Sequence, residues 1–253
     1  MVAGQYRPVV AMSTTVPARA ATSVVSSSVA TPAAVPAASA TDRRPGATTA
    51  ATVPAGGSAT YNRSQSDSSA PGGEQMRLEG MRIAVLAAEG VEDLEYWCTV
   101  MRLREEGARV TSVGIAPGAV RGKNGLEVPV ETAAADVSEA SFDALVVPGG
   151  WAPDKLRRYE AVTGLVAGVR TAGKPIAIVC HGGLVAISAK IVDGVRATGS
   201  KGIKDDLVNA GATWVDEPAF RDHDMAWGRV VDDIPAFLRE TVDLFAEHHA
   251  RRA

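Results

Sequence analysis

Cysteine is scarce: the 253 residues contain only Cys98 and Cys180. One bridge at most is possible, which excludes a disulfide scaffold and fits a reducing compartment in which Cys180 stays a free thiol. Long hydrophobic runs are missing as well. No stretch approaches the roughly 18 consecutive apolar residues of a membrane span, and no compact apolar segment follows a basic start as in a secretory signal. Histidine is limited to His181, His223, His248 and His249, with no metal-ligand spacing, so a zinc site is not expected. Excess positive charge is lacking too. The formal net charge is −3, and a chain of that sign has no footprint for nucleic acid as its main partner.

The scarcity is uneven along the chain. Residues 1–75 carry five arginines, no lysine, and only Asp42, Asp67 and Glu74 as acids, in a background of Ala, Ser, Thr, Pro, Val and Gly. Too few bulky apolar side chains are present to offset the conformational entropy of ordering, so this extension is expected to be disordered. Its Ser/Arg-rich, acid-poor composition leaves two readings: an organelle transit peptide, or an extension upstream of a start at Met76 or Met81. Without a transit function the expected location is cytoplasmic.

From residue 76 to 253 the text becomes that of one α/β domain. Apolar runs at 81–88, 109–115, 142–147 and 175–179 read as buried strands. Residues 92–106 form a helix with Leu94, Cys98, Met101 and Leu103 on its apolar face, so Cys98 is a packing residue. Residues 119–130, around Lys123-Asn124-Gly125, read as a hairpin. Helices are expected at 154–172, after Cys180, near 204–210 and over 233–248. A short strand near 195–198 and two edge strands near 213–215 and 226–230 complete the set. His223 falls in a polar loop, and His248 and His249 on the surface of the last helix. Near-continuous apolar strands alternating with helices imply a mostly parallel sheet covered on both faces.

In such a sheet, ligands bind outside the carboxyl ends of the strands. Three segments fall there: Ala88-Glu89-Gly90-Val91-Glu92, Pro148-Gly149-Gly150 and Cys180-His181-Gly182. The third has the form of a nucleophile elbow with cysteine in place of serine. The positive end of the following helix favours a thiolate, lowering a pKa of about 8.5 into the range of roughly 3.5–7.5 found at such positions. His181 is within reach as a proton acceptor. The competing reading is that Cys180 is a small buried hydrophobe. For Glu89, Glu92 and Glu95 the residues alone do not choose between helix capping and chemistry.

These segments, taken in order with Gly173-Lys174-Pro175, Gly202-Ile203-Lys204-Asp205-Asp206-Leu207, Asn209-Ala210-Gly211-Ala212 and Asp232-Asp233-Ile234-Pro235-Ala236-Phe237, resemble the DJ-1/PfpI family of the class I glutamine amidotransferase-like superfamily. The PfpI branch is the nearer one, because His181 directly follows Cys180. The resemblance covers Met81 to about Phe245 and implies a flavodoxin-like three-layer sandwich and cofactor-independent chemistry. It implies Cys180 as nucleophile, Glu92 as the carboxyl bonded to the thiol, His181 as catalytic histidine, and the Gly150 and His181 amides as an oxyanion hole. It also implies a homodimer or hexamer in which an acid from the neighbouring subunit orients His181. Asp154 stands at that place, where relatives often have glutamate. The expected activity is on small reactive carbonyls, of the glyoxalase III or deglycase type. Alternatives are an intracellular cysteine peptidase and a redox sensor or stress chaperone based on oxidation of Cys180. Ser200-Lys201 and Trp227-Gly228 depart from the family pattern near the expected pocket, suggesting a lost aromatic wall and an added amine.

Overall fold

Short runs of Val, Ile, Leu and Ala, too brief for helices and apolar on both faces, build the central layer. The structure, a computed structural model, describes residues 76–252; the disordered extension expected over 1–75 lies outside them. In chain order the elements are β1 (Arg82–Leu86), α1 (Asp93–Glu105), β2 (Arg109–Gly114), β3 (Gly118–Arg121), β4 (Glu127–Val130), β5 (Thr132–Ala133) and β6 (Ala144–Val147). There follow α2 (Ala152–Leu156), α3 (Glu160–Thr171), β7 (Ile176–Val179), α4 (Gly183–Ser188), β8 (Arg196–Ala197) and α5 (Lys204–Asn209). The chain closes with β9 (Thr213–Trp214), β10 (Ala219–Asp222), β11 (Met225–Gly228) and α6 (Ile234–Ala250).

Seven strands form one sheet in the order β10-β11-β7-β6-β1-β2-β5. Every neighbouring pair is parallel except β10 with β11. All residues of β6, β7 and β11 are buried, as expected of strands covered on both faces. Helices α1 and α6 touch each other on one side, while α3 contacts α4, and α4 contacts α2 and α5. The result is the flavodoxin-like three-layer α/β sandwich. The side on which successive strands are added reverses between β1 and β6, so the loops after these strands diverge and leave a crevice.

Four expectations need correction. The strand at 226–230 is not an edge: β11 lies between β7 and β10. The edge is β10, whose polar Arg221 and Asp222 suit a half-exposed strand, and His223 sits in the β10–β11 turn at φ 52. The helix at 154–172 is two helices, interrupted at Arg157–Tyr159. The inner face of α1 carries Glu95, Tyr96, Thr99, Val100 and Leu103, leaving Leu94 and Met101 exposed and Cys98 half-buried against the core. The stripe Tyr96, Val100 and Leu103 packs into the core, and that rotation carries Glu95 to the crevice. His248, expected at the surface, is buried. No helix among the described residues is long and apolar enough to cross a membrane.

Candidate active site

The loop after β7 turns through Cys180, which has φ 57. A left-handed conformation costs a non-glycine residue about 1–2 kcal/mol, a strain that surrounding structure must hold in place. The carbonyl of Cys180 accepts the Ser200 amide at 3.3 Å, and a single helical turn, Cys180–Gly182, leads into α4. The thiol is thereby set at the carboxyl edge of the sheet with backbone amides around it. Those of His181 and Gly150 are near enough to the sulfur to favour the thiolate. The two expected oxyanion donors are therefore brought together around one atom.

Gly150 reaches this position only because it is glycine. Its φ is 76, and a Cβ there would lie 2.4 Å from the Glu92 amide nitrogen and 2.5 Å from the Gly90 carbonyl. The same loop is clamped from the other side, where Gly149 N–H donates to Glu95 Oε2 at 2.6 Å. Trp151, next in the chain, is largely exposed and packs over Gly90.

The carboxyl at the thiol is that of Glu95. It is fully buried, and Cys180 is its hydrogen-bonding neighbour. Its second oxygen, Oε1, is buried without a hydrogen-bond partner. Glu92, expected in this role, is occupied elsewhere: Oε2 accepts the Glu95 amide at 2.8 Å as the α1 N-cap, and Oε1 accepts Asn124 Nδ2 at 3.0 Å. The physical reason is helical geometry. A residue at the cap folds back over its own helix, whereas one three residues later points along the inner face into the crevice. Sequence reasoning included Glu95 among the acids of this turn, and periodicity could not single it out.

Burial raises the Glu95 carboxyl to about 7, against the hydrogen bonds from Gly149 and Cys180 that favour its anion. Burial, then the Glu95 charge and its hydrogen bond, push the Cys180 thiol up to about 12, partly offset by the two amides. Two such groups titrate as a pair. The pair gives up its first proton near neutrality and keeps the second over a wide pH range, so the lowered thiol pKa expected from the helix end is overridden by burial and the neighbouring carboxylate.

His181 is half-buried, with Nδ1 3.3 Å from Cys180 Sγ. Burial, with the nearby charge of Lys123, lowers its pKa and keeps the imidazole neutral. Asp154 is not brought to His181 within the chain. It lies in α2, exposed, and its carboxylate pairs with Arg158. The two departures lie beside the Cys180 turn: Ser200 N–H donates to the Cys180 carbonyl, and Gly228 pairs with Val179. Trp227 is wholly buried in β11, and Lys201 Nζ lies 3.9 Å from Asp216.

A strained cysteine on a strand-to-helix turn beside a buried carboxyl marks the candidate site of this α/β protein. The sequence places it more narrowly: residues 81–244 match the DJ-1/PfpI family, and the chain belongs to that family. A deglycase of Pyrococcus abyssi is 40% identical over 164 residues, 65% of this chain and 99% of the relative. A putative cysteine protease, YraA, of Bacillus subtilis is 36% identical over 164 residues, 64% of this chain and 97% of the relative. Among solved structures, a two-domain protein of Anabaena variabilis with DJ-1/ThiJ/PfpI-like and ferritin-like domains superposes with a TM-score of 0.63 at 32% identity. That match covers 64% of this chain and 47% of the other.

Proposed function

We propose that the protein is a cofactor-independent cysteine enzyme of the deglycase or glyoxalase III type, acting on small reactive carbonyls such as methylglyoxal and glyoxal. The observation that carries this reading is the placement of Cys180 on a left-handed turn, with the buried Glu95 carboxyl beside it and His181 Nδ1 3.3 Å from its sulfur. When the proton resides on Glu95, the sulfur is a thiolate and the carboxyl is its hydrogen-bond donor. The thiolate adds to the aldehyde carbon. An S–C bond forms, the carbonyl π pair moves to oxygen, and the Gly150 and His181 amides receive the developing negative charge.

The adduct is a hemithioacetal once the oxygen takes a proton. Neutral His181 removes the proton on the former aldehyde carbon, and the same proton equivalent returns at the neighbouring carbon. The product at this stage is a thioester of a 2-hydroxy acid. Water then cleaves the S–C bond and releases lactate from methylglyoxal, or glycolate from glyoxal, with the thiol restored. No net oxidation occurs. Glycated amines or thiols enter at the same adduct and leave as the free amine or thiol.

Asp154 belongs to this mechanism only through a homodimer or a hexamer built from dimers, in which the exposed carboxylate of one subunit orients His181 of another. A second reading, peptidase, draws on the relative named a putative cysteine protease and on the same oxyanion donors, with Cys180 attacking a peptide carbonyl. The test follows product directly. Lactate formed from methylglyoxal by the wild type should fall to background in Cys180→Ala and persist in Cys98→Ala. Equal rates in wild type and Cys180→Ala would overturn the proposal, and Cys180-dependent cleavage of fluorogenic peptides without lactate would favour the peptidase.

A further inference from the structure

The mechanism above makes no use of Lys123, at the turn of the β3–β4 hairpin. That turn is tied to the β1–α1 loop from two sides. Gly90 N–H donates to the Arg121 carbonyl, and Lys123 N–H to the Val91 carbonyl, each at 2.8 Å. The buried Asp93 carboxylate accepts the Asn124 amide at 2.7 Å and the Leu126 amide at 2.8 Å. Glu92 takes the Asn124 side chain. Contact is close enough that a Cβ on Gly122 would lie 2.5 Å from Asp93 Oδ1. Two buried carboxylates at the start of α1 are therefore engaged in holding a loop.

What the loop presents is one ammonium. Lys123 Nζ stands 6.0 Å from the ring centroid of Trp151, the residue that follows the Gly149-Gly150 pair. Among the described residues it takes part in no ion pair. Its field reaches the reacting groups, lowering the pKa of both Glu95 and His181. Lys201, the amine expected near the pocket from sequence, faces Asp216 instead.

We infer that Lys123 is a specificity-determining residue: its ammonium recognises an anionic group, carboxylate or phosphate, on a carbonyl substrate whose reacting carbon is at Cys180. The inference rests on the carbonyl-adduct reading above for its substrate class. Hairpin anchoring supplies the preorganisation such recognition needs, because a cation on a free loop would lose ordering entropy with each substrate. An exposed lysine without a carboxylate partner keeps its full charge for an incoming anion.

The test uses two alkylating probes of the full chain, iodoacetate and iodoacetamide, which differ in a carboxylate against an amide. In both reactions the Cys180 sulfur forms an S–C bond, iodide leaves, and the thiol proton passes to buffer. Mass spectrometry of the Cys180 peptide gives the two rates, with Cys98 as internal reference. The iodoacetate-to-iodoacetamide ratio at Cys180 should fall about fivefold in Lys123→Met, the effect of one unit charge a few ångströms from the anion in a partly solvated cleft. It should fall further in Lys123→Glu, persist in Lys123→Arg, and shrink with added salt in the wild type. The Cys98 ratio should stay constant throughout. An unchanged Cys180 ratio, equal slowing of both reagents, or no alkylation of Cys180 by either would overturn the inference. The probes require no catalysis, so absence of lactate production with the ratio shift intact would sink the proposed reaction alone.

Discussion

Replacing Glu95 with glutamine should change how stability depends on pH, and the structure sets both the sign and the size. The carboxyl binds its proton near pH 7 in the folded protein, against an ordinary value of 4.5. A folded pKa raised above the unfolded one contributes stability that is fully present below about 4.5 and is lost as pH rises through 7. At about 1.4 kcal/mol for each pH unit between the two values, the loss is about 3 kcal/mol. Glutamine keeps the shape, can accept from Gly149 N–H through its oxygen, and can donate to the sulfur, but it does not titrate. Urea unfolding of wild type and Glu95→Gln at pH 5 and pH 8, at one protein concentration, cancels every other titrating group. Wild-type stability relative to the variant should fall by about 2.5 kcal/mol between the two conditions. A difference constant to within about 1 kcal/mol would refute the reasoning, because Glu95 would then ionise at its ordinary pH and could not share a proton with Cys180.

Gly150→Ala should lower stability by about 2 kcal/mol, since the left-handed φ and the 2.4 Å approach to the Glu92 amide admit no methyl group. Denaturant midpoints measure the loss, and slower alkylation of Cys180 would show that the Gly150 amide has withdrawn from the sulfur. Asp154→Ala should reduce kcat at least tenfold with unchanged sedimentation if the carboxylate orients a neighbouring subunit's His181. A rate equal to wild type would remove Asp154 from the mechanism.

Much of the fold was legible because its signals are local. Strands buried on both faces are written as unbroken apolar runs, and 81–88, 142–147 and 175–179 contain β1, β6 and β7. Parallel strands require crossovers, so alternation with helices specified the layered sheet and its carboxyl-end crevice. The segments holding Cys180, His181 and Gly150 were recognisable for the same reason, lying at strand ends where such a sheet gathers its loops, while the roles of Gly150 and His181 were expected from the family resemblance. The hairpin around Lys123-Asn124-Gly125 was visible too, though not what it leans on.

What tertiary structure alone decided concerns direction. Glu92 and Glu95 are both acids in the first turn of one helix, and only the packing of α1 against the sheet turns Glu95 toward Cys180 and leaves Glu92 capping. The same rotation exposes Leu94 and Met101, which sequence spacing placed inside. The left-handed turn at Cys180, the burial that lifts Glu95 to about 7, and the position of Lys123 beside Trp151 come from segments far apart in the chain. Sequence carries each residue's chemistry and its local periodicity. A pKa, a strained φ or an unshared charge depends on neighbours that folding brings within a few ångströms, and so belongs to the structure.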